Sequence, residues 1–110
     1  MITTHVLDTA RGEPADGVRV LLEFLDGDAW REVGRGATDA DGRLRTLTPA
    51  GALEAGAYRL TFDTAGYFAG RGVEGFYPQV AVTFVVRDGA RHFHVPLLLS
   101  PFGYSTYRGS

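Results

Sequence analysis

The sequence predicts an all-β fold, an antiparallel sandwich or barrel with at most one short helix. Several short runs alternate apolar and polar residues with period two, the pattern of a strand with one buried face. Fifteen glycines and five prolines, spread along 110 residues, cut the chain into strand-length pieces. Asp26-Gly27, Asp41-Gly42 and Asp88-Gly89 stand between such pieces, where tight hairpins need a positive φ.

At the N-terminus Ile2 and Val6 fall on one face, and Thr3, His5 and Leu7 on the other. Val18, Val20, Leu22 and Phe24 then alternate against Arg19 and Glu23, and Asp26-Gly27 follows as a turn. A second turn is expected at Asp41-Gly42. Tyr58, Leu60 and Phe62 alternate against Arg59, Thr61 and Asp63. The one helix is expected over Thr64 to Gly70, with Asp63 or Thr64 as N-cap and Gly70 or Gly72 as exit. At about two turns it depends on packing to stand. Val80, Val82, Phe84 and Val86 form the next strand, closed by Asp88-Gly89. In the run from Arg91 to Leu99, the residues Phe93, Val95, Leu97 and Leu99 take the apolar face, so His92 and His94 share the opposite one. Their spacing along a strand is about 6.6 Å. On composition, the closing PFGYSTYRGS is expected to be a loop or a frayed tail. With no repeat, low-complexity tract or linker, residues 1–110 are expected to form a single domain.

Composition excludes much chemistry. Eleven basic residues against thirteen acidic ones give a net charge of −2, so no field gathers phosphates and nucleic acid or an anionic membrane is not an expected partner. Every one of the cations is arginine, which removes Schiff-base lysines, a lysine general base and a phosphate-loop lysine. Cysteine is absent, and with it disulfides, thiolate nucleophiles and thiolate metal sites. The opening MITTHVLDT lacks the pattern of a secretory signal, and no apolar run approaches the roughly 20 residues that span a bilayer. A soluble, cytoplasmic protein is expected. A domain of this size buries roughly 60–70% of its extended surface, enough for a core but not for a deep cleft of its own.

Chemistry then rests on histidine and arginine. Alternation places His5 and His94 on outward faces, where each could be an ordinary solvated strand residue. A His-x-His pair with a third histidine could instead hold zinc. Asp39-Ala40-Asp41-Gly42 begins like a calcium loop, but Arg43 stands where a further oxygen ligand is needed. Ser100, Ser105 and Ser110 have no Gly-x-Ser-x-Gly elbow to activate one of them. The remaining alternative is metal-free hydrolysis, with an imidazole taking a proton from water and a guanidinium polarising a carbonyl. Arg43, just after its turn, is the candidate for the second role, or else a solvated arginine flanking a turn.

The residues Thr4-His5-Val6-Leu7-Asp8, Gly12, Pro14-Ala15, Thr38 to Arg43, and the ending HFHVPLLLSPFGYSTYRGS resemble the 5-hydroxyisourate hydrolase family, transthyretin-like enzymes of urate breakdown. The similarity runs the length of the chain, and the terminal Tyr107-Arg108-Gly109-Ser110 is its most specific part. The resemblance implies a transthyretin-like antiparallel β-sandwich of two four-stranded sheets with one short helix, assembled as a homotetramer with sites at a subunit interface. It implies hydrolysis of the cyclic amide of 5-hydroxyisourate to 2-oxo-4-hydroxy-4-carboxy-5-ureidoimidazoline, without metal or organic cofactor. It also implies that His5, Arg43 and His94 are catalytic, with His5, Arg43 and Tyr107 contacting substrate. Arg108, the Ser110 carboxylate and His92 have supporting places. The competing member of the fold is transthyretin, a carrier that lacks both histidines, the arginine and the YRGS ending, all of which this chain has.

Overall fold

Alternating apolar faces are buried by closing two β-sheets face to face. The structure is a computed structural model describing all residues, Met1–Ser110. In chain order it contains β1 (Ile2–Asp8), β2 (Glu13–Pro14), β3 (Arg19–Asp26), β4 (Ala29–Ala37), β5 (Arg43–Leu44), β6 (Gly56–Phe62), α1 (Thr64–Gly70), β7 (Val80–Val86), β8 (Phe93–Ser100) and β9 (Gly103–Thr106). One sheet has the order β4-β3-β6-β7 and is antiparallel throughout. The other runs β2-β1-β8-β9, and the two-residue β5 also pairs with β1, so this sheet has five strands.

The core lies between the sheets. Val20, Leu22 and Phe24 of β3, Tyr58, Leu60 and Phe62 of β6, and Val80 and Val86 of β7 meet Ile2, Val6, Phe93, Val95, Leu97 and Leu99 from the opposite sheet. These are the residues that period two assigned to the inside. Thr4 shares the inner face of β1 and satisfies its buried hydroxyl by donating to the Val95 carbonyl at 2.6 Å.

One ladder departs from the antiparallel expectation. β1 and β8 run parallel from Ile2 opposite Phe93 to Asp8 opposite Leu99. Parallel neighbours need a long connection, and nearly the whole chain lies between these two.

The turns divide by use. Asp26-Gly27 begins a two-residue hairpin between β3 and β4, with Gly27 at φ 64° and no positive φ at Asp28, the pattern of a type II′ turn. Asp41-Gly42 and Asp88-Gly89 are not hairpins, because the strands they join belong to different sheets. Gly89 has no positive φ either. It is required by close approach, since a Cβ there would lie 1.8 Å from the Leu53 carbonyl oxygen. The C-terminal stretch is also not a frayed tail. Gly103–Thr106 adds an antiparallel strand to β8, and Gly109 makes a further bridge to His94. Backbone pairing to a buried neighbour orders a segment that composition marks as loop.

Helix α1 forms where expected, with the Asp63 side chain accepting from the Gly66 amide at 2.9 Å as N-cap and Arg71 as C-cap. Its Tyr67 hydroxyl donates to Asp8 Oδ2 at 2.8 Å, and the Arg11 amide donates to Asp8 Oδ1 at 3.2 Å. Burial, together with the Asp8 carboxylate, pushes the Tyr67 hydroxyl up to about 12, so it remains a donor at ordinary pH. Asp8 is 2% exposed, and without Tyr67 its carboxylate would lose its one side-chain partner. Tyr67→Phe is therefore expected to destabilise the fold by about 1–3 kcal/mol, read from urea denaturation. An unchanged midpoint would show that this clamp contributes nothing.

Candidate active site

The outer face of the β1–β8 ladder carries the imidazoles. Parallel register sets Thr3 beside His94. The Thr3 hydroxyl, on a residue only 4% exposed, lies 2.9 Å from His92 Nε2 and 2.8 Å from His94 Nδ1. The ring centroids are 6.4 Å apart, so the His-x-His spacing does place both side chains on one face.

On the other edge of β1, His5 faces Arg43 of β5 in register. The Asp39 carboxylate shapes this turn by accepting the amides of Asp41 and Arg43, both at 2.9 Å. Those bonds, the Arg43 amide foremost, hold the Asp39 carboxyl below its ordinary range. His5 Nε2 donates to the Asp41 carbonyl at 2.9 Å, which fixes the ring against the same turn.

Between these elements lies a cavity of about 160 Å³ lined by Met1, Thr3, Thr4, Arg43, Arg45, His92, His94 and Ser110. Of the residues the sequence singles out, the structure thus brings together Arg43, His92, His94 and Ser110. His5 stands beside the cavity through its pairing with Arg43. Tyr107 and Arg108 are not part of it. They line a separate, largely apolar groove of about 250 Å³ with Val82, Phe84, Phe93 and Val95, to which His94 also contributes. Tyr107 is 56% exposed there, and the Arg108 guanidinium lies 5.0 Å from the centre of the Phe93 ring. A larger depression of about 510 Å³ opens on the other sheet near Arg19 and Arg35, but no histidine borders it, and chemistry favours the smaller cavity.

Three contributors escape a search for reactive residue types. Thr3 bridges the two imidazoles, and Arg45 adds a second guanidinium to the cavity. Both carried a signal: Thr3 shares a face with His5, and Arg45 stands two positions after Arg43. Gly109 donates its amide to the His94 carbonyl at 2.8 Å, and a Cβ there would sit 2.6 Å from His94 Cδ2, so only glycine leaves room for the ring.

Partial burial lowers the His94 pKa below the ordinary 6.5, assisted by Arg43, His5, His92 and Arg45. A neutral imidazole at physiological pH, facing two guanidinium groups, can accept a proton while an anionic oxygen is stabilised beside it. No three His, Asp or Glu side chains group closely enough to hold a metal ion.

A protein-family model described as HIUase/Transthyretin family matches residues 2–109. The chain belongs to that family. It is 48% identical over 113 residues to the 5-hydroxyisourate hydrolase of Deinococcus radiodurans, covering 99% of this chain and 95% of the relative. Among solved structures, Klebsiella pneumoniae 5-hydroxyisourate hydrolase superposes with a TM-score of 0.86 at 40% identity, covering 99% of this chain and 92% of that one. Sea bream transthyretin in complex with thyroxine superposes with a TM-score of 0.92 at 34% identity, covering 98% and 93%. Backbone shape therefore does not separate hydrolase from transthyretin within the family, and the site residues must.

The electrostatics of the site are open to direct measurement. In an NMR titration the His94 ring is expected to gain its proton below pH 6.5. Arg45→Gln removes one opposing cation and should move that midpoint upward. A downward or absent movement would show that Arg45 does not act on His94.

Proposed function

We propose that this chain hydrolyses 5-hydroxyisourate, opening its six-membered ring to 2-oxo-4-hydroxy-4-carboxy-5-ureidoimidazoline in urate breakdown, with residues 1–110 acting as one hydrolase domain. The observation that carries the proposal is the half-buried His94 in one cavity with Arg43 and Arg45, which together with burial disfavour its charged form. An imidazole in that state can take a proton from water at neutral pH, and the guanidinium groups meet a flat, oxygen-rich substrate.

The chemistry follows from those groups. His94 accepts a proton from water as the water oxygen bonds to the amide carbon. Arg43 stabilises the negative charge that develops on the carbonyl oxygen. The ring C–N bond then breaks, and the proton held by the site goes to the departing nitrogen. His5, pinned to the Asp41 carbonyl and paired with Arg43, keeps that guanidinium company from the second edge of β1 and completes the catalytic set.

A homotetramer belongs to the same proposal. A cavity of about 160 Å³ falls short of the roughly 300–1,000 Å³ of usual ligand pockets. A second copy laid over the outer sheet face would deepen it and exclude water. In that setting the exposed Tyr107 is a substrate contact, with Arg108 and the Ser110 carboxylate in support, and the cytoplasm is the expected compartment. The chain has no helix long and apolar enough to cross a membrane.

The test is an ultraviolet time course on 5-hydroxyisourate generated in place by urate oxidase. His5→Ala, Arg43→Ala and His94→Ala are each expected to lose about 10²-fold or more in turnover, and deletion of residues 107–110 should be comparably damaging. Wild-type-like rates in all three substitutions would sink the assignment. Binding of a urate analogue without turnover above the spontaneous rate would favour a transthyretin-like carrier, the second reading suggested by the superposition on sea bream transthyretin.

A further inference from the structure

The proposed hydrolysis needs a place for the proton that leaves water. His94 sits among groups that oppose a positive charge there: Arg43 and Arg45 on the cavity wall, His5 on β1, and the neighbouring His92. No Asp or Glu side chain lines the same cavity. An imidazolium formed at His94 is therefore poorly accommodated, and the structure holds an exit.

That exit is Thr3. Its hydroxyl oxygen meets one ring nitrogen from each of His92 and His94, and no third partner is in reach. A hydroxyl has one proton to give and can accept in return. Buried as it is, Thr3 must donate to one imidazole and accept from the other. The two rings are thus locked into a common polarity. The arginines decide which, because they favour a lone pair over an N–H on the nitrogen turned to the cavity.

We propose that His94, Thr3 and His92 form a proton relay in which His94 Nδ1–H donates to Thr3 Oγ1 and the Thr3 hydroxyl donates to His92 Nε2. His94 Nε2 is then the free base. When it takes a proton from water, the Nδ1 proton passes to the Thr3 oxygen and the proton of Thr3 passes to His92 Nε2. The water oxygen is left to bond to the substrate carbonyl carbon. The positive charge comes to rest on His92, which is exposed to solvent. When the ring C–N bond breaks, the same steps run backwards and His94 Nε2–H protonates the leaving nitrogen, so no other acid, base or oxidant is required. Thr3 and His92 are positioning residues that act through His94, much as a partner on the second ring nitrogen sets the working tautomer in other histidine-based hydrolases.

The relay rests on the hydrolase assignment for its catalytic half, and the experiment separates the two. In the intact protein, Thr3→Val keeps the shape and removes the hydroxyl, whereas Thr3→Ser keeps the hydroxyl. Thr3→Val should lower kcat for 5-hydroxyisourate by roughly tenfold to a hundredfold, less than the loss of a general base itself, with KM little changed. Thr3→Ser should stay within about threefold of wild type. His92→Phe, at an exposed position, should resemble Thr3→Val, and the double variant should be no worse than either alone. Long-range 1H–15N NMR of the resting protein should find the His94 proton on Nδ1 in wild type and Thr3→Ser, and a mixture of tautomers in Thr3→Val. Full turnover in both Thr3→Val and His92→Phe, or a wild-type His94 protonated at Nε2, overturns the relay. A wild-type protein without turnover overturns the hydrolase assignment instead, and the tautomer measurement then still decides whether the hydrogen-bonded chain has the stated polarity.

Discussion

The parallel ladder between β1 and β8 is the constraint on which the rest depends. It joins residues 2–8 to residues 93–99, so nearly the whole chain lies between the two paired strands. Such a contact closes a very long loop, and its entropic cost must be offset by packing across the whole sandwich. Its inner face supplies Ile2, Val6, Val95, Leu97 and Leu99 to the core. Its outer face carries Thr3, His5 and His94, with His92 just before β8. Fold and candidate site are two sides of the same seven-residue pairing, and a one-residue slip would exchange them.

The surroundings of the ladder are arranged so that its outer face is neither fully wet nor fully dry. β5 attaches to one edge of β1 and brings Arg43 level with His5. On β8, the last residues return so that Gly109 bridges to His94 and Ser110 reaches the cavity. The imidazole of His94 is thereby withdrawn from solvent far enough for its charged form to be disfavoured. Arginine suits this better than lysine would, because its charge does not yield to burial and its donors lie in a plane. The complete absence of lysine and cysteine, which at first only subtracts chemistries, agrees with a site built from imidazole, guanidinium and water.

What the sequence made legible was local. The inner residues of β3, β6 and β7 follow directly from alternation, the helix from Asp63 and its glycine exits, and the shared face of His92 and His94 from their spacing. What it concealed was pairing at a distance. No residue near Ile2 announces that its neighbour is Phe93, and without that register Thr3 is one more strand threonine. β4 carries two glycines and little alternation, and it is mostly exposed, so it left no clear pattern. Asp41-Gly42 and Asp88-Gly89 carry hairpin chemistry yet lie in crossings between sheets, because a local turn signal does not say which sheet receives the next strand. Composition marks the ending as a tail for the same reason: β9 owes its order to its pairing with Leu97, Leu98, Leu99 and Ser100 rather than to its own side chains. Tyr107 shows the limit from the other direction, since it has a place in the motif but not in the cavity of a single subunit.

The near-equal superposition on a hydrolase and on a thyroxine-bound transthyretin shows how little of the sandwich must differ between them. The core has no reason to change, because its residues face one another whichever chemistry the surface performs. All the candidate chemistry lies in outward positions of β1, β5 and β8, in Arg45 and His92 beside those strands, and in the last four residues, none of which belongs to the core between the sheets. Burying an imidazole beside two arginines costs stability, and a reaction that gives up a proton to a neutral imidazole at that point gives the arrangement a use. A carrier on the same scaffold would be freer to exchange those positions for neutral ones. That Thr3, Arg43, Arg45, His92 and His94 are all present and converge on one small cavity is therefore stronger evidence for catalysis than any measure of backbone likeness.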